Sequence, residues 1–79
     1  MGDKLPQISG RELIRVLGKI GIVPVAQRGS HVKLRGYYKE QLRYTTIPVH
    51  SNDDLPCGVI KAVLGDLGIS RDEFFKLLE

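Results

Sequence analysis

The chain has one cysteine, two histidines, no tryptophan and no long apolar run among its 79 residues. Each shortage excludes something. Cys57 has no intrachain partner, so no disulfide framework is expected and a reducing compartment fits. His31, His50 and Cys57 follow one another at spacings that match no zinc pattern, and Asp53–Asp54 alone make a poor magnesium site. Neither a metal nor an organic cofactor is therefore expected. Gly29, Gly36 and Gly68 stand singly, so there is no glycine-rich phosphate loop. No stretch approaches the roughly 18 apolar residues of a membrane helix. The start, Met1 to Pro6, has no apolar run after its charges, so no secretory signal is expected.

A chain of this length supports one domain over residues 1–79, burying roughly 60% of its unfolded surface. That is too little for a dinucleotide-binding sheet plus a catalytic lobe. With 42% apolar residues it is too hydrophobic for a disordered tail. The expectation is a small, soluble, cytoplasmic domain.

Acids are also scarce, but only in one part. Up to His50 nine Lys and Arg face three Asp and Glu, whereas from Ser51 onward three bases face six acids. The asymmetry suggests one surface for a polyanion and another that is neutral or acidic. A merely solvated basic face would give the same count.

Periodicity supplies the elements. Ser9-Gly10-Arg11-Glu12 has the form of a capping box, and Leu13, Ile14, Leu17 and Ile20 follow at helical spacing to Gly21. This predicts a helix over 10–20. Ile22 to Gln27 is β-branched and apolar, with Pro24 confining it to an edge or irregular pairing. Gly29-Ser30 reads as a turn. His31-Val32-Lys33-Leu34-Arg35 alternates strictly, which predicts a strand with Val32 and Leu34 inward and His31, Lys33 and Arg35 on the opposite face. Gly36 to Leu42 reads as a polar, tyrosine-containing loop. Arg43 to Val49 resumes as a strand with Thr45, Ile47 and Val49 on one side. Pro56 suits the first turn of a helix whose stripe is Val59, Ile60, Val63, Leu64 and Leu67, ended by Gly68. A second capping box, Ser70 to Glu73, opens a short helix with Phe74, Phe75 and Leu78 inward. The predicted class is α+β. Three antiparallel strands form a sheet, helices cover one face of it, and the other face is left for solvent or a ligand.

The residues best suited to chemistry lie on that open face. His31 follows the Gly-Ser turn and shares its face with Lys33 and Arg35; Arg28 precedes the turn. Imidazole can move protons in both directions near neutrality, and cations beside it can hold a phosphodiester. Cleavage through a ribose 2′-OH needs only a few such groups and no metal. An ordinary surface strand residue, or a donor to phosphate, is the plainer reading of the same histidine. His50, after the third strand, falls toward the same end as His31 and is an auxiliary candidate or a loop-ordering residue. Cys57 reads as a small half-buried residue rather than a nucleophile, since no orienting partner is visible.

Five segments in order carry a resemblance: Gly10 to Ile14 with Leu17 and Gly21; Gln27 to His31; Thr46 to His50; Leu55-Pro56-x-Gly58; and the amphipathic helix to Gly68-Ile69. Together with the tail from Ser70 to Phe74, they resemble the HicA family, small toxins of prokaryotic toxin–antitoxin pairs. The resemblance runs from about Ser9 to Leu78. It implies a double-stranded-RNA-binding-domain-like fold and a metal-independent endoribonuclease acting on mRNA. His31 is then the catalytic residue, and a HicB-type antitoxin covers the site; from the charges and the turn, Arg28, Gly29, Ser30, Lys33, Arg35 and Lys39 are expected to contact RNA. The chain departs from the family at Ile22, at a longer 36–42 loop and at Cys57. Two other classes stay open: an RNA-binding module of the same fold that does not cut, and an interaction domain whose basic face meets an acidic protein.

Overall fold

In a computed structural model describing residues 5–49 and 52–79, Ser9 opens helix α1 (Gly10–Gly18) by accepting a hydrogen bond from the Glu12 amide at 3.2 Å. The return half of the expected box is replaced, because the Glu12 carboxylate takes the Arg15 guanidinium one turn on. The helix stops at Gly18 rather than Ile20. Lys19, Ile20 and Gly21 donate instead to carbonyls three residues back, tightening the chain into a turn.

Strands β1 (Val23–Arg28), β2 (His31–Tyr38) and β3 (Gln41–Pro48) form one antiparallel sheet in the order β1-β2-β3. Pro24 lies on an edge strand, and the register slips between Pro24 and Ala26, as the missing proline donor requires. Val32 and Leu34 are buried while His31, Lys33 and Arg35 are exposed, so the alternation reads true.

The segment 36–42 is not a loop. β2 runs on through Tyr38, a two-residue turn at Lys39-Glu40 reverses the chain, and β3 starts at Gln41. Both turn residues have positive φ (55° and 65°), the mark of the hairpin turn usually written Asn-Gly. A tertiary contact holds this unusual pair: Lys39 Nζ lies 2.7 Å from a Glu73 carboxylate oxygen and also reaches the Gly68 carbonyl. Gly36 is required for another reason, since a Cβ there would meet the Gly21 carbonyl oxygen at 2.3 Å. The α1–β1 connection thus lies directly against the central strand.

Helix α2 (Cys57–Leu67) follows Pro56 and ends on Gly68 in the left-handed region. Helix α3 (Arg71–Leu77) opens with a complete capping box between Ser70 and Glu73. α1 packs on β1 and β3, and α2 on β3. Between helices and sheet, Leu13, Leu17, Ile22, Leu34, Ile47, Ile60, Leu67 and Phe74 are all fully buried. Each such side chain contributes about 1.5–3 kcal/mol relative to exposure. Thr45 enters this layer with its hydroxyl bonded to the Asp66 carboxylate at 3.1 Å. Phe75 does not join Phe74. One residue further round a short helix, it remains 37% exposed, and Leu78 is half-buried. Among the described residues no helix is long and apolar enough to cross a membrane.

Candidate functional site

The turn that delivers His31 is braced from both sides. Gly29 takes a positive φ of 58°, which a side chain would resist. The Gln27 amide donates to the Gly29 carbonyl at 3.0 Å, and the Val49 amide donates to the Ser30 carbonyl at 2.7 Å. Arg28 and His31 face each other across this turn as register partners, and His31 pairs on its other side with Pro48.

Directly paired residues of an antiparallel sheet share a face. The open face therefore carries Arg28, Ala26 and Val23 from β1; His31, Lys33, Arg35 and Tyr37 from β2; and Pro48, Thr46, Tyr44 and Leu42 from β3. None of these is an acid. At one end, Ala26, Gln27, Arg28, His31, Lys33 and Thr46 line an open depression of about 560 Å³. Among the described residues, Arg28, Lys33 and Arg35 form no ion pair. On α1 and just after it, by contrast, Arg15 pairs with Glu12, and Lys19 donates to the carbonyls of Leu77 and Glu79.

Of the residues expected from sequence to contact RNA, Arg28 and Lys33 line the same depression as His31, Arg35 lies further along the same face, and Gly29 and Ser30 shape the turn beneath. Lys39 is not. It sits at the far tip of the second hairpin, over the Tyr38 ring and against α3. Its ammonium, helped by the Ser70 amide, holds the Glu73 carboxyl down to about 2. Burial first, then the Glu73 charge, pushes the neighbouring Tyr38 phenol up. His50 lies outside the described residues. Cys57 is exposed at the start of α2, and among the described residues no three His, Cys, Asp or Glu side chains gather to hold a metal.

Sequence reasoning passed over Tyr37, Tyr44 and Thr46 as members of this face. The period-two alternation from His31, carried two residues past Arg35, would have found Tyr37. Tyr44 and Thr46 follow from the alternation of the third strand, opposite Thr45 and Ile47, and the register sets them beside Arg35 and Lys33.

The fold and site together define a small α+β domain that presents a basic, histidine-bearing sheet face opposite its helices. The model of the HicA toxin family of bacterial toxin–antitoxin systems matches residues 10–69, and the chain belongs to that family. Membership implies an antitoxin partner. The matched span includes the whole sheet, α1 and α2; α3 lies beyond it, so the likeness of the tail rests on sequence motifs alone. No curated protein matches the chain.

Proposed function

We propose that this toxin is an endoribonuclease that cuts mRNA with His31 and needs no metal, and that a HicB-type antitoxin silences it by covering the open sheet face. One observation carries the reading: His31 is exposed within a depression lined by Arg28, Lys33 and Thr46, on a face bearing no acid. The cations hold the phosphodiester. His31 takes the proton of a ribose 2′-OH, the 2′ oxygen bonds to the neighbouring phosphorus, and the bond from phosphorus to the 5′ oxygen breaks. The leaving oxygen gains a proton from water or from the imidazolium. The products are a 2′,3′-cyclic phosphate and a free 5′-OH.

The chemistry is tested by placing a single 2′-deoxy nucleotide at the cleaved linkage of a labelled RNA. Cleavage there should stop while the RNA still binds, and EDTA should leave the unmodified reaction unchanged. Cleavage of the deoxy linkage at the same rate would overturn attack by the 2′ oxygen. Binding without cleavage of any RNA would leave a non-catalytic RNA-binding module as the correct reading.

A further inference from the structure

We infer that Tyr44 and Tyr37 make the far half of the open face a stacking platform for unpaired bases, so the RNA engaged is single-stranded. This rests on the reading of that face as an RNA site and adds to it the form of the substrate and two positioning residues. Tyr44 is the register partner of Arg35, and Tyr37 lies two residues beyond Arg35 on β2. Their side chains are uncommitted: Tyr37 is 72% and Tyr44 49% exposed, and among the described residues neither forms a hydrogen bond or ring contact. Leu42, paired with Tyr37, adds a further exposed apolar side chain.

Tyr37, Tyr44 and Leu42 form a contiguous exposed patch, which marks an interaction surface, and its surroundings select the ligand. They adjoin Lys33 and Arg35, which form no ion pair, on a face without acids. Cations that hold phosphates beside rings that stack bases are the two components of single-strand recognition. A duplex uses neither ring, because its bases are already stacked on one another and it offers only backbone and groove edges. Arg35 lies four residue steps from His31 on β2, about 13 Å along the sheet. A strand anchored by its bases at Tyr44 and Tyr37 and by its phosphates at Arg35 and Lys33 therefore extends toward His31. The tyrosines position the substrate and take no part in the bond changes.

The test uses His31→Ala protein, so that RNA survives, and follows fluorescence anisotropy of a fluorescein-labelled unstructured RNA, alone and annealed to its complement. The single strand should bind more tightly than the duplex. Adding Tyr44→Ala should raise the single-strand Kd roughly tenfold, and Tyr44→Phe should hold it near the parent value. With His31 intact, Tyr44→Ala should raise KM and leave kcat nearly unchanged. The platform is refuted by equal affinity for duplex and single strand, or by tyrosine variants that bind RNA like the parent; salt-sensitive RNA binding would then still uphold the RNA site. It is also refuted if Tyr44→Ala weakens only the antitoxin complex, since the patch then belongs to a protein. Failure to bind any RNA removes the RNA reading and the platform together.

Discussion

The two faces of β2 are made from alternate residues of one eight-residue strand, yet one is packed into the core and the other stands in solvent. Val32 and Leu34 face the helices and are buried; His31, Lys33, Arg35 and Tyr37 face outward and are exposed. Because the side-chain period is two, the strand that supplies the middle of the core also fixes the spacing of the site. Stability and function can therefore be separated residue by residue along β2. A one-residue slip would exchange the faces and destroy both.

The sharpest way to break this separation begins on the inner face. Leu34→Ala removes a fully buried side chain at the centre of the sheet and should cost about 2–5 kcal/mol, read from chemical denaturation. For a domain this small that is a large share of the total, and the variant should lose toxicity through unfolding. Lys33→Ala, one residue away, should leave the denaturation midpoint almost unmoved. It should instead weaken RNA binding alike across sequences and lower the slope of log affinity against log salt by about one. A slope equal to the parent's would remove Lys33 from the phosphate contacts.

How far the sequence reveals this arrangement differs between the two hairpins. The first is legible: Gly29 and Ser30 are turn residues, and the alternation after them places His31 outward without ambiguity. The second is not, because Lys39 and Glu40 carry no turn signature and adopt left-handed backbone only where Glu73, thirty-odd residues away, holds the lysine. Missing that turn also hid Tyr37, whereas Tyr44 was already implied by the alternation of Thr45, Ile47 and Val49; Lys39, expected among the RNA contacts, is tied to α3. The stripe of α2 and the Gly68 stop were legible because burial follows period there; on α1 the period found Leu13 and Leu17 but missed Val16, and Ile14 and Ile20 are only partly buried. Phe75 was not legible, since successive helical residues point about 100° apart and the core meets α3 on the side of Phe74, leaving Phe75 37% exposed.

The same contrast yields two smaller effects. Glu40→Gly should relieve the left-handed cost at the second turn and stabilise the protein by about 1 kcal/mol, measured by denaturation, whereas Gly29→Ala at the first should destabilise it. The ion pair that holds the second turn should make itself felt in acid. Glu73 is down at about 2 in the folded protein against an ordinary 4.5, so between those values the unfolded chain binds more protons. The stabilisation is complete above about pH 4.5 and is lost as pH falls toward 2. Parent and Glu73→Gln should accordingly differ in stability at neutral pH and converge in acid. A gap that stays constant with pH would show that the Glu73 carboxylate, with its Lys39 and Ser70 partners, adds nothing to stability through its charge.

The claim that the outer face of β2 is catalytic is tested most directly by RNA cleavage with the His31→Ala protein, its fold verified by denaturation against the parent. The rate should fall by a factor of roughly 10² to 10⁴ while stability moves by no more than about 0.5 kcal/mol. Growth inhibition should vanish, and binding to the antitoxin should persist. Cleavage by folded His31→Ala protein at near the parent rate, or loss of activity in His50→Ala instead, would contradict the assignment of catalysis to His31.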